Sequence, residues 1–380
     1  MSIPFKSKKQ QRLSWRATFE FALGRLWYIP GQFQIARTLG ADYALRCVLF
    51  HNVAPTESVF TKGLHCTSTP ENFEAALNFL SSHYTPVSLQ DVLASYEGTE
   101  LPPRPVLVTF DDSYASANSL AAPLCLKFKI PAIFFINADC LDNRRLALDN
   151  LICFFANTLG LDEVNKAIET TCAGEPRVNF LADIFDRFLP MISLATRTKF
   201  RKVLVQKLNT SEEDIAARAG LHLSSHGVRK LAEAGFEIGN HTYSHVNCRA
   251  LSRSEFGEEI DENRRLLEAI SAREVRSLSV PYGSSADLTR DLQAHLRRSG
   301  YKAVFLAEGR TNPVRADRYQ LNRVSTTTGA AATLFSQIEM LPRMRTVKSQ
   351  LITATGRGND RALQVKKLKI SRRELIDDTD

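Results

Sequence analysis

Short apolar runs rich in β-branched and aromatic residues recur along the chain, each ending at polar or turn-forming residues. The first, Arg46–Phe50, stops at His51-Asn52-Val53 and a Pro-containing loop. The run Val106-Leu107-Val108-Thr109-Phe110 follows Pro102, Pro103 and Pro105 and stops at Asp111-Asp112; its length and β-branching predict a buried strand. Ala132–Ile136, residues 236–240, residues 276–280 and Ala303–Leu306 read the same way. Helical spacing appears between these runs. Phe73, Leu77 and Leu80 fall at i, i+4 and i+7 in a helix around residues 73–83, and residues 87–91 read as a short strand running into a helix capped by Ser88. Strands alternating with helices predict an α/β architecture with parallel strands. From about 142 to 225 the alternation lapses into mostly helical sequence with no clear strand, which predicts a helical insertion.

Charge changes the picture only when divided along the chain. Residues 1–46 hold eight Lys/Arg against two Asp/Glu, and residues 343–380 hold ten against five, so the net +8 leaves the middle slightly acidic. A basic excess confined to two flanks, without interleaved aromatics or a reader motif, argues against a nucleic-acid partner. In the first flank Trp15, Phe19, Ala22 and Leu26 fall at helical spacing, with Arg12, Arg16 and Arg25 available for a polar side. That stripe predicts either packing on the main domain or peripheral contact with an anionic membrane surface. No run approaches the ~18 apolar residues of a membrane span. Lys6, Lys8, Lys9 and Arg12 resemble a signal n-region, but Arg16, Glu20 and Arg25 break the apolar stretch that follows. Seven cysteines without CxxC pairs suit a reducing compartment, so the expected location is cytoplasmic.

In α/β folds the carboxyl ends of parallel strands line a common crevice, so residues just past 106–110, 236–240 and 276–280 are expected to converge. Asp111 and Asp112 stand there as neighbours whose side chains diverge on an extended chain, leaving one for a metal and the other for substrate. His241 and His245 are four apart, a spacing that puts both imidazoles on one face of a helical turn. One carboxylate and two histidines make a facial triad for Zn²⁺ or another divalent ion.

Taken together, the motifs resemble those of the polysaccharide deacetylases of the NodB-homology type, carbohydrate esterase family 4. Thr109-Phe110-Asp111-Asp112-Ser113 resembles the first motif, TFDDG; His241-Thr242-Tyr243-Ser244-His245 matches the second, H[ST]xxH; Val280-Pro281-Tyr282-Gly283 resembles the core of the third. The similarity runs from about His51 to Arg323, apart from the insertion. It implies a deformed (β/α) barrel over residues 46–340 with an insertion at about 142–225, flanked by a basic segment at 1–45 and a basic tail at 341–380. It further implies a hydrolase that removes acetyl groups from an N-acetylated or O-acetylated saccharide or polysaccharide. In that reading Asp112, His241 and His245 hold a divalent metal, expected to be Zn²⁺, and Asp111 is the general base for the water the metal activates. The Tyr282 backbone N–H joins the metal in stabilising the oxyanion, and Thr242 supports the histidine loop by hydrogen bonding.

The departures from the family pattern are informative. Ser113 replaces a glycine, and Ser279 stands where the third motif has the arginine that orients the base; Arg276 and, better, Arg323 are candidates to replace it. The Asp-Trp fourth motif and the Leu-x-His fifth are missing, the latter ordinarily bringing the general acid. His51 is the leading candidate for that proton, since Leu49-Phe50-His51-Asn52-Val53 resembles the YHxV start of an exopolysaccharide-deacetylase branch. His65, His83, His222, His226 and His295 lack a comparable setting. The alternative is a catalytically weakened, carbohydrate-binding relative, which has little reason to keep Asp111 beside the whole triad.

Overall fold

The structure is a computed structural model that describes residues 42–342. The Trp15, Phe19, Ala22 and Leu26 stripe and nearly all of both basic flanks lie outside the described residues. Among the described residues no helix is long and apolar enough to cross a membrane.

Eight parallel strand segments follow one another around a nearly closed barrel. They are β1 (Arg46–Phe50), β2 (Pro105–Phe110), β3 (Ala132–Ile136), β4 (Glu237–Asn240), β5 (Ser277–Ser279), β6 (Ala303–Leu306), β7 (Leu321–Asn322) and β8 (Val324–Ser325). The spatial order is β7-β6-β5-β4-β3-β2-β1-β8. The last two segments are one stretch of chain that changes partner: Leu321 pairs with Phe305 on β6, and three residues later Val324 pairs with Val48 on β1. Arg323 sits at the changeover, where the barrel closes. A ninth segment, Thr85–Pro86, pairs with Pro105 and Val106, below the point where β3 joins β2 at Val108. The segment 87–91, expected as a short strand running into a helix capped by Ser88, has that helix: Ser88 is the N-cap of Leu89–Ser95, with Asp91 completing a capping box, while the strand pairing falls just before it at Thr85–Pro86.

Alternation along each strand sorts side chains between two environments. Val48, Phe50, Val106, Val108, Phe110, Phe134, Ile136 and Ile238 pack with the helix Pro70–His83 and its neighbours. Cys47, Leu107, Ile133 and Phe135, from the opposite faces of β1, β2 and β3, form a separate cluster with Phe305 of β6. Gly239 belongs with the second set. A Cβ there would lie 2.3 Å from the Phe135 ring, so β4 can stand beside β3 only with this residue bare.

The insertion between β3 and β4 is helical as expected. Its longer helices are Leu148–Thr158, Leu161–Thr171 and Leu194–Val205, with Glu212–Ala219 shorter. They bury a core of their own that includes Leu151, Ile152, Phe155, Phe200 and Leu204, and Phe60 and Tyr282 pack against it from the barrel loops.

Candidate metal and catalytic site

The carboxyl ends of β2, β4 and β5 meet in a cleft lined by His51, Asp111, Asp112, His241, His245, Tyr282 and Arg323, with Asp149, Asn150 and Phe185 of the insertion forming another wall. Asp111 extends the inward series of β2, after Leu107 and Thr109, and is 5% exposed. Arg323 Nη1 donates to its Oδ1 at 2.7 Å and Nη2 to its Oδ2 at 2.8 Å, a bidentate pair; Ser279 Oγ donates to Oδ2 at 3.1 Å. Burial alone would raise the Asp111 carboxyl, but the Arg323 guanidinium and His241 outweigh it and hold it below the usual carboxylate range. Of the two arginine candidates, the structure brings Arg323 to Asp111. Arg276 lies at the other end of its strand, paired with Glu237 and Gln90.

Asp112 does not diverge from Asp111 as an extended chain would require. Its φ of 74° turns the backbone, and both carboxylates face His241: Asp112 Oδ1 is 3.4 Å and Asp111 Oδ2 is 3.6 Å from its Nε2. The next residue, Ser113, has φ 57°, a left-handed conformation in which glycine is free of strain. Its hydroxyl is used there, accepting from Asn137 N at 2.7 Å.

The histidine pair also reaches the site by a different route from the one expected. Residues 241–245 form a loop, not a helical turn, with left-handed φ at Thr242 and His245. Buried amides shape it. Asn240 Oδ1 accepts from Thr242 N at 2.8 Å, and Asn137 Nδ2 donates to the Thr242 carbonyl at 3.0 Å. Glu259 receives both the Ser244 N–H, at 3.0 Å, and its hydroxyl, at 2.6 Å. Thr242 supports this loop by hydrogen bonding, as expected, through its backbone groups; its buried hydroxyl has no hydrogen-bond partner among the described residues.

One ligand atom each from Asp112, His241 and His245 lie within 4.8 Å of one another. The groups behind them decide which nitrogens are free. A main-chain carbonyl only accepts, so the contact of His241 Nδ1 with Ser279 O at 2.8 Å puts a proton on Nδ1 and directs Nε2 to the cluster. His245 Nδ1 likewise donates to Asp149 Oδ2 at 3.0 Å, and its Nε2 lies 3.4 Å from Asp112 Oδ1. Burial would lower the His245 pKa, but Asp149 and Asp112 push it up to about 9. Nε2 of each ring is thus turned toward Asp112, and two imidazoles with a carboxylate suit a divalent transition ion.

His51 Nε2 lies 4.0 Å from Asp112 Oδ2, and burial lowers its pKa, so the ring is mainly neutral at pH 7. Tyr282 has φ 63°, and among the described residues no protein acceptor takes its backbone N–H. Three side chains escaped sequence reasoning. His65 lines the cleft, although its sequence setting had set it aside. Asp149 and Arg197 lie in the insertion, where no motif singled them out; Arg197 Nη2 donates to the His245 carbonyl at 3.0 Å.

Residues 203–304 match the family model described as polysaccharide deacetylase, a stretch that contains His241, His245 and Tyr282 but not Asp111, Asp112, His51 or Arg323. No curated protein sequence matches the chain. Among solved structures, the deacetylase PplD of Streptococcus pyogenes in complex with acetate aligns with 78% of this chain and 98% of its own, at 13% identity and a TM-score of 0.51. IcaB from Ammonifex degensii aligns over 78% and 98%, at 19% identity and a TM-score of 0.50. At these identities the likeness is one of fold.

Proposed function

We propose that the chain, which matches the polysaccharide deacetylase family model over residues 203–304, is a metal-dependent hydrolase removing acetyl groups from an N-acetylated carbohydrate, with O-acetyl esters as a second class of substrate. The observation that carries this reading is the position of Asp111: an ionised, buried carboxylate clamped by Arg323 and Ser279, beside a cluster of Asp112, His241 and His245 that suits a divalent ion. A structural aspartate would need neither that neighbour nor the open cleft.

Asp112, His241 and His245 are the residues that would hold the ion, for which Zn²⁺ is the expected choice. When bound, such an ion polarises an acyl oxygen and acidifies water. The remaining work falls to the chain itself. Asp111 accepts the proton of the attacking water; Arg323 occupies both of its oxygens from one side and fixes its plane, so the other side is presented to the cleft. The unpaired Tyr282 N–H is assigned to the developing oxyanion. His51 is assigned to the leaving nitrogen. Because burial disfavours the charged ring, the acid role requires a proton to reach His51 from solvent before the carbon–nitrogen bond breaks, and the proton that Asp111 takes from water returns to solvent as acetate leaves.

Acetate release from a panel of N-acetylated and O-acetylated saccharides tests the reading. Release from N-acetylated members is expected, and saccharide binding without release would leave a carbohydrate-binding relative instead. His51→Ala sharpens the assignment of the acid: amide turnover should fall by roughly 10²–10⁴-fold while an activated aryl acetate, whose leaving group needs no proton, is far less affected. Unaltered amide turnover removes His51 from the mechanism.

A further inference from the structure

His241 and His245 are held by different parts of the molecule. The Nδ1 proton of His241 goes to a main-chain oxygen of β5, part of the barrel; that of His245 goes to Asp149 in the first turn of the insertion helix Leu148–Thr158. Asp149 is 8% exposed, and a carboxylate in the first turn is favoured by the helix dipole. A second insertion residue, Arg197, holds the backbone of the same histidine: Nη2 donates to the carbonyls of His245 at 3.0 Å and Ser244 at 3.4 Å. Tyr282 closes the circuit, its hydroxyl accepting from Arg197 Nη1 at 3.3 Å and donating to Asp149 Oδ1 at 3.4 Å.

This enclosure has a purpose that packing alone does not explain. His245 has φ 55°, a conformation that a residue with a side chain keeps only when its surroundings impose it, and among the described residues its ring meets no barrel acceptor equivalent to Ser279 O. Without Asp149 nothing fixes which ring nitrogen carries the proton, and the Nε2 lone pair is no longer committed to the Asp112 side. We propose that the helical insertion completes the metal site, with Asp149 as the positioning carboxylate that orients His245 and thereby sets metal affinity. The inference rests on the metal-dependent reading above and adds a residue 96 positions from its target in sequence.

The test uses the full chain and Zn²⁺ alone as the probe, its affinity measured by competition with a chromophoric chelator. Asp149→Ala should weaken Zn²⁺ binding by roughly 10–100-fold, the usual effect of losing such an outer partner. Asp149→Asn, whose amide oxygen accepts the same proton, should lose less, and serves as the test if the alanine variant does not fold. In the Zn²⁺-loaded wild type the His245 Nδ1 proton should give a downfield, slowly exchanging resonance that is absent from Asp149→Ala, while the corresponding His241 resonance persists. A folded Asp149→Ala with Zn²⁺ affinity within about twofold of wild type, well below that range, overturns the inference, as does an unchanged His245 resonance. Wild-type protein that binds no Zn²⁺ overturns the metal reading itself, so the two failures are distinguishable.

Discussion

The barrel and the insertion reach the same cluster by different means. The barrel delivers its residues at strand ends, where alternation decides direction: Leu107 and Thr109 face inward, so Asp111 does too, and Arg323 arrives where the closing strand changes partner. The insertion delivers Asp149 and Arg197 from helices that pack around a separate core. In the barrel, position in the fold and position in the site are nearly the same information. In the insertion they are independent, since many helical residues serve the local core equally well and only the docked geometry selects the two that touch His245. The barrel is thus expected to carry the chemistry and the insertion to tune the metal, and substitutions confined to the barrel can break that division.

The largest effect is expected at Asp111. Asp111→Asn keeps the shape of the side chain but removes the proposed base, so turnover should fall by roughly 10²–10⁴-fold with bound metal unchanged. Metal lost along with activity would blur the division between the two regions. Arg323→Met comes next. It leaves a buried carboxylate unpaired, which typically costs about 3–5 kcal/mol, so urea denaturation should show a large drop in stability. Arg276→Ala removes a partly exposed pair with Glu237 and should cost no more than about 1 kcal/mol. Similar losses for the two variants would deny Arg323 its special place. Gly239→Ala is intermediate in size: a methyl group forced against Phe135 should cost about 1–3 kcal/mol in thermal unfolding, and an unchanged midpoint would mean that β3 and β4 can separate freely.

Much of the barrel was legible before the structure. Arg46–Phe50, Ala132–Ile136 and Ala303–Leu306 have the expected bounds, because short β-branched runs closed by polar residues leave little freedom. Asp111, Asp112, His241, His245 and Arg323 converge for the same reason: strand ends in a parallel barrel share one rim. The path between His241 and His245 was not legible. A four-residue spacing fits a helical turn, yet Asn240, Asn137 and Glu259 satisfy the loop's backbone groups in a left-handed geometry that spacing cannot reveal. Asp149 was hidden more thoroughly. An aspartate in the first turn of a helix reads as an ordinary electrostatic preference, and only docking of the insertion shows that it faces His245. Arg276 and Arg323 illustrate the converse: proximity in sequence to Ser279 favours Arg276, yet Arg323, the preferred candidate, is the one that barrel closure brings to Asp111 and Ser279.

The central claim, that the cluster at the barrel rim hydrolyses acetyl groups through a bound divalent ion, is tested most directly by following acetate release from an N-acetylated oligosaccharide. Chelator-stripped and Zn²⁺-restored protein would be compared, with His241→Ala alongside. The account predicts no release from the stripped chain, recovery as one equivalent of Zn²⁺ is restored, and no recovery in His241→Ala. Undiminished release from rigorously metal-free wild-type protein would contradict it.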